Sequence, residues 1–158
     1  MKKLFSLSWG KPQTQVNPVE ESQPLDGDLL SRINSYAESV LKTLQAAMPN
    51  AGYDEAAIKR LSQDLTANRS RYTAEQRVQI ANMYGAFLGK SIMTAYPKTP
   101  AQWVRWKGDI GLEFQTSPRG QRKVSFPITR VFKHIESGDA DSIHSFFLAI
   151  PEFVASSP

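Results

Sequence analysis

Residues 103–114 read WVRWKGDIGLEF, and this stretch decides the fold class. Its first five residues combine aromatic and β-branched side chains, which are enriched in strands. Gly108-Asp109 is a turn signal, and residues 110–114 alternate as a half-buried strand does. The stretch therefore predicts an antiparallel hairpin.

A third strand follows this hairpin in the sequence. Residues 117–120, Ser-Pro-Arg-Gly, form a second turn signal, and residues 123–126 alternate again. Three short strands with one apolar face need a helix to cover that face. We therefore predict a three-stranded antiparallel meander packed against helices.

Three helices are expected before the sheet. Apolar residues recur at three- and four-residue steps through residues 26–48, and a shorter helix is expected over 54–68. Thr73 and Gln76 form a capping-box pattern that starts a third helix, which ends near residue 95. This helix is apolar on most sides, which is typical of a buried helix.

Two glycines lie four residues apart inside the third helix. Gly85 and Gly89 share one face, and each costs up to about 1 kcal/mol relative to alanine at such a position. Close approach of another backbone would compensate this cost, so we expect tight packing at that face.

Two short helices are expected after the sheet. Pro127 suits the first turn of a helix that ends at Gly138. Asp139 or Asp141 is expected to cap the last helix, and Pro151 to close it. The predicted fold class is α+β: three N-terminal helices, a three-stranded antiparallel meander and two short C-terminal helices.

The first 24 residues have the composition of a linker. Three prolines recur among polar residues between residues 11 and 25, so we expect a flexible Pro-rich tail over 1–24 and a single domain over 25–158. The apolar run at residues 4–9 is too short for a signal peptide or a membrane span. We expect a cytoplasmic protein, with a weak N-terminal membrane contact as a minor alternative.

Composition is that of an ordinary globular domain with an uneven charge. The 158 residues are 41% hydrophobic and 22% charged, with a net charge of +4 and no cysteine. Disulfides and thiol nucleophiles are therefore excluded. Residues 98–133 carry eight basic side chains against two acidic ones, which makes the predicted sheet the positive region.

This basic region contains the candidate partner-binding residues. Arginine and tryptophan are the side chains most enriched in interface hot spots, and a positive aromatic sheet also suits nucleic acid. A solvated basic face is the plainer interpretation. The candidate residues are Trp103, Arg105, Trp106, Lys107, Arg119, Arg122 and Lys123.

The register of the hairpin decides which tryptophan faces outward. A two-residue loop at Gly108-Asp109 would place Trp103 with Leu112 and leave Trp106 outside. A three-residue loop over 107–109 would reverse the two faces. One tryptophan is then exposed, unless a loop or the tail covers it.

No catalytic or metal-binding pattern is indicated by the sequence. His134 and His144 are expected on helix surfaces or boundaries, and Asp139, Asp141 and His144 have a spacing that helix caps also produce. Phosphate-binding and nucleophile-elbow motifs do not occur. We therefore expect no enzymatic activity, no cofactor and no metal.

Several elements of the C-terminal half occur together in the order of a known group of proteins. They are Tyr84-Gly85-x-x-x-Gly89, Trp103-Val104, Gly111-x-Glu113-Phe114, Phe126-Pro127-x-x-x-Val131-x-Lys133 and Gly138-x-x-Asp141-Ser142-x-x-x-Phe146. In these the chain resembles an uncharacterised family of small bacterial α+β domains, some of which look like toxin-immunity proteins. The resemblance implies a protein-binding role, and it carries no catalytic residue.

These observations lead to two hypotheses about function. The first is a non-enzymatic protein-binding module, most specifically an immunity protein that neutralises a cognate bacterial toxin by direct binding. The alternative is a nucleic-acid-binding protein that uses the basic, Trp-containing sheet.

Overall fold

The computed structural model describes residues 13–16, 22–115 and 122–155, and it confirms the α+β class with a helical layer on one face of an antiparallel sheet. The helices are α1 (Gly27–Ala47), α2 (Glu55–Asn68), α3 (Ala74–Ala95), α4 (Pro127–Ser137) and α5 (Ile143–Ala155), with short 3₁₀ helices at Arg69–Arg71 and Gly138–Asp141. The strands are β1 (Gln13–Val16), β2 (Ser22–Pro24), β3 (Ala101–Trp106), β4 (Asp109–Gln115) and β5 (Arg122–Ser125).

The first three helices start where their capping residues predict. Asp26 and Asp54 each accept a backbone N–H three residues later, at 2.9 Å and 3.0 Å. The Thr73 hydroxyl accepts the Gln76 N–H at 3.1 Å, and the Gln76 side chain accepts the Thr73 N–H at 2.9 Å. The predicted capping box is therefore complete.

The last helix differs from the prediction at both ends. Asp139 and Asp141 lie in the preceding 3₁₀ helix and do not cap α5. Instead, the Ser142 hydroxyl accepts the backbone N–H groups of His144 and Ser145, at 3.1 Å and 3.2 Å. Pro151 lies inside α5, which continues to Ala155. Pro151 has no N–H for the carbonyl of Phe147, and the Tyr96 hydroxyl donates to that oxygen at 3.0 Å instead.

The sheet contains the predicted meander and is wider than predicted. Its strand order is β1-β5-β4-β3-β2, and every pairing is antiparallel. Both edge strands come from the segment that we predicted to be a flexible tail, since residues 13–16 pair with β5 and residues 22–24 with β3. The rest of the predicted tail lies outside the described residues.

The β3–β4 hairpin has neither of the two registers considered from the sequence. Trp106 is opposite Asp109, so the loop is Lys107-Gly108. Both loop residues have positive φ, 50° and 86°, as a type I′ turn requires. This register differs by two residues from the two-residue alternative, so the face assignment of that alternative is confirmed. Trp103 faces the helices, and Trp106 lies on the opposite face.

Each face of the sheet carries its own apolar cluster. Trp103 and Leu112 belong to the large core between sheet and helices, to which all five helices contribute. The opposite face carries a smaller cluster, which we call the outer cluster and which consists of Val104, Trp106, Val124 and Phe126. Gly111 makes room for it, because a Cβ there would lie 2.5 Å from a Val124 methyl.

The expected close packing at the α3 glycines is present. A Cβ at Gly85 would lie 2.6 Å from the Cα of Ile128, so the backbone of α4 lies against α3 at this point. A Cβ at Gly89 would lie 2.2 Å from Cζ2 of Trp103, so the indole ring occupies the space beside this glycine.

Among the described residues, no helix is long and apolar enough to cross a membrane.

Candidate functional site

Both candidate tryptophans are buried within the chain. Trp103 is 5% exposed and lies in the large core against Gly89. Trp106 is 3% exposed, and its ring lies 6.1 Å from that of Phe126 in the outer cluster. Neither ring is open to a partner, so neither can stack on a nucleotide base in this conformation.

Lys123 is also buried, and it bonds to the end of α5. Its Nζ donates to the carbonyl oxygen of Phe153 at 2.7 Å and lies 3.5 Å from that of Val154. Burial lowers the pKa of this lysine. A cation at the last carbonyls of a helix is stabilising, so Lys123 acts within the fold rather than at its surface.

Arg105 and Lys107 remain accessible at the loop of the β3–β4 hairpin. We call these two residues the hairpin tip. Lys107 is exposed, and its Nζ lies 4.8 Å from the centroid of the Trp106 ring, within range of a cation–π contact. Arg105 is half-buried and donates weakly to the Gly108 carbonyl at 3.4 Å. Arg119 lies outside the described residues.

Arg122 borders a small polar cavity on the face that carries the outer cluster. Its guanidinium lies 3.9 Å from the buried Glu113 carboxylate, which also accepts the Ser22 hydroxyl. The Gln102 amide lies 3.5 Å from the other Glu113 oxygen. The cavity has a volume of about 210 Å³ and is lined by Pro100, Ala101, Gln102, Glu113, Gln115 and Arg122.

The structure places His134 differently from the sequence prediction. It is completely buried, and its Nδ1 accepts the Ile143 N–H at 3.1 Å. Its Nε2 therefore carries the proton and donates to the Thr66 hydroxyl at 2.8 Å, which donates to Asp139 at 2.7 Å. Burial lowers the pKa of His134, although the nearby carboxylates of Asp139 and Asp141 oppose this. This histidine joins α2, α4 and α5.

The remaining candidate metal ligands make separate contacts. His144 pairs with Glu55 across a distance of 3.1 Å, and Asp141 pairs with Arg130 at 3.0 Å. Within residues 13–16, 22–115 and 122–155, no group of three or more acidic or histidine side chains is placed to hold a metal ion.

The helical layer contains a cleft that the sequence prediction missed. It opens between α1, α2 and α3 and has a volume of about 340 Å³. Its polar lining consists of four side chains: Thr43, Arg60, Asp64 and Tyr84. Arg60 and Asp64 are one turn apart on α2, a spacing that the sequence contains. Tyr84 comes from α3, so its position beside them depends on tertiary packing.

A mostly apolar groove lies between the end of α3 and α5. It has a volume of about 380 Å³ and is lined by Ala95, Tyr96, Pro97, Lys98, Thr99, Ile150, Pro151, Val154 and Ala155. Among the described residues, two large apolar side chains are exposed: Leu148 on α5 and Leu30 on α1.

No protein-family model matches the chain, and searches of curated proteins and of solved structures find no similar protein.

Proposed function

We propose that this protein is a non-enzymatic protein-binding module that presents its hairpin tip to an acidic surface of a partner protein. The observation that carries the proposal is the backbone of Lys107, which has a φ of 50°. A residue other than glycine seldom adopts this left-handed conformation, and asparagine, aspartate and glycine adopt it most easily.

A lysine at this position is therefore a local compromise. The turn would form more easily with asparagine, yet the sequence places a cation there and a second cation, Arg105, two residues before it. Backbone strain tends to persist where function requires a particular side chain. The buried Trp106 ring beneath Lys107 provides a rigid base for the charge.

The sharpest form of the proposal concerns the partner. The resemblance to domains that look like immunity proteins supports a bacterial toxin, and the charge of the hairpin tip favours an acidic site on it. Complementary charge at an interface contributes to specificity and to the rate of association. Co-expression of the protein should restore the growth of bacterial cells that such a toxin inhibits.

Charge removal at the hairpin tip tests this contact. Lys107→Asn removes the charge and suits the turn, and Arg105→Gln removes the second charge. The matched control is the double variant Lys42→Gln with Lys59→Gln, since both lysines are exposed on α1 and α2. The parent and the control should each recover one stoichiometric partner from native lysate, and the hairpin double variant should not.

Two results would contradict the proposal. Equal recovery by all three proteins would remove the hairpin tip from the interface. Material that disappears after nuclease treatment, with affinity that falls steeply as salt rises, would favour the nucleic-acid alternative instead.

A further inference from the structure

We propose that the cleft between α1, α2 and α3 binds a small zwitterion with an apolar body, namely a free α-amino acid with an apolar side chain. This inference is independent of the hairpin tip, which belongs to the sheet. It rests on the volume of the cleft, on its mostly apolar lining and on two oppositely charged side chains, Arg60 and Asp64, that line it.

The size and lining of the cleft suit a ligand of this class. Its volume of about 340 Å³ is at the lower end of the range for small-molecule sites. The apolar side chains that line it are Val40, Leu44, Ala47, Leu61 and Met83. Such a lining stabilises a buried aliphatic or aromatic group in proportion to the apolar area removed from water.

The carboxylate of Asp64 is held in a fixed orientation. The Tyr84 hydroxyl donates to Oδ2 at 2.8 Å, and the Asn68 amide donates to Oδ1 at 3.1 Å. Burial, reinforced by this hydrogen bond to Asp64, raises the pKa of Tyr84 well above its ordinary value. The hydroxyl therefore stays protonated at neutral pH, and Asp64 keeps its position and retains lone pairs for a further donor.

The guanidinium of Arg60 is the second charge. Arg60 is exposed and lies one helical turn before Asp64, yet the two form no ion pair, and Arg60 makes no hydrogen bond within the described part of the chain. An i,i+4 pair of this kind brings the Cβ atoms within about 6 Å. Both side chains thus line the same cleft from one face of α2, and each is available to an opposite charge on a ligand.

This charge arrangement selects the ligand. A simple anion would be attracted by Arg60 and repelled by Asp64, and a simple amine would experience the reverse. An α-amino acid carries an ammonium and a carboxylate on one carbon atom, so Asp64 can accept from the first while Arg60 donates to the second. Charge-assisted bonds of arginine to carboxylates are among the strongest hydrogen bonds that proteins make.

Three matched probes test the proposal on the intact protein. L-Leucine carries both charges, 4-methylpentanoate lacks the ammonium, and 3-methylbutylamine lacks the carboxylate. Each is titrated to about 20 mM, a range that detects millimolar dissociation constants, while the backbone amide signals are followed by NMR. We expect saturable shifts in α1, α2 and α3 with leucine only. No saturable shift with leucine, or equal shifts with all three probes, would overturn the proposal.

Variants assign the binding to the two charges. Arg60→Gln and Asp64→Asn should each weaken leucine binding by at least about tenfold, because each leaves one ligand charge without its partner. Lys59→Gln is the matched control, since this exposed lysine precedes Arg60 and does not line the cleft. Unchanged affinity in the Arg60 and Asp64 variants would overturn the assignment, and unchanged amide spectra outside the cleft would show that both are folded.

Discussion

The Tyr96 hydroxyl donates to the backbone carbonyl of Phe147, and this bond replaces the one that a proline four residues later cannot form. The two side chains also lie close, with ring centroids 5.5 Å apart. A contact from the end of α3 therefore allows α5 to continue through Pro151 to Ala155.

Removal of this hydroxyl should destabilise the protein only while the proline is present. Tyr96→Phe is expected to lower the free energy of unfolding by about 1 kcal/mol, the usual value of one hydrogen bond. In a Pro151→Ala background the new N–H can bond to the Phe147 carbonyl, so the same change should cost much less. Urea unfolding of the four proteins of this double-mutant cycle measures the difference. An equal loss of unfolding free energy in both backgrounds would show that the Tyr96 hydroxyl does not replace the missing backbone bond.

The contact between Gly89 and Trp103 should not tolerate a methyl group. A Cβ at residue 89 would lie 2.2 Å from the indole, so Gly89→Ala is expected to destabilise by about 1–3 kcal/mol despite the better helix propensity of alanine. Gly27→Ala is the control, since a Cβ there meets nothing within 4 Å. Thermal unfolding compares the two, and Trp103→Phe should recover part of the loss in the Gly89→Ala protein.

The free energy of unfolding should decrease as the pH is lowered below 7, because His134 is buried in its neutral form. The unfolded imidazole takes up a proton near pH 6.5, whereas the folded one has a lowered pKa and stays neutral. The unfolded state then binds more protons, so the free energy of unfolding decreases as pH falls through 6.5 towards the folded pKa. Each pKa unit between the two states is worth about 1.4 kcal/mol.

One histidine variant separates this effect from other titrations. Urea unfolding between pH 7 and pH 5 should show a shallower dependence of the free energy of unfolding on pH for His134→Gln than for the parent protein. Identical slopes in the two proteins would exclude His134 as the source.

Two glycines with positive φ should respond differently to the same substitution. Gly138 has φ 71° and ψ −145°, close to a region that is open essentially to glycine alone, so Gly138→Asn should cost about 1–3 kcal/mol. Gly108 has φ 86° in the hairpin turn, where asparagine is tolerated, so Gly108→Asn should cost less than about 1 kcal/mol. Chemical unfolding of the two variants measures both values, and the reverse order would contradict this interpretation.

Local signals explain what the sequence could predict. Asp26, Asp54 and Thr73 each accept a backbone N–H three residues later, so helix capping depends only on residues within one helical turn. The strands of the meander follow the same logic, since alternation and turn residues are local patterns. These features survive in the structure with boundaries shifted by a few residues.

Long-range contacts explain what the sequence could not predict. The burial of Trp106 and the position of β2 depend on pairing between residues that are eighty or more positions apart. The burial of His134 depends on its contacts with Thr66 and Ile143 from other elements. From the sequence, Pro151 predicts the end of a helix, and the hydrogen bond from the Tyr96 hydroxyl that lets α5 continue is not visible there. The cleft at Asp64 and Tyr84 likewise requires two helices to be packed.

The strand order also determines when the sheet can be completed. β1 and β2 are synthesised before every other element, yet β1 pairs with a strand more than a hundred residues later. Closing loops of that length is slow and entropically costly, so contacts of this kind form late in folding. On the ribosome, β2 can pair as soon as β3 has emerged, whereas β1 must wait for β5. Until β1 pairs, the outer edge of β5 has unpaired backbone groups, which are a template for unwanted association.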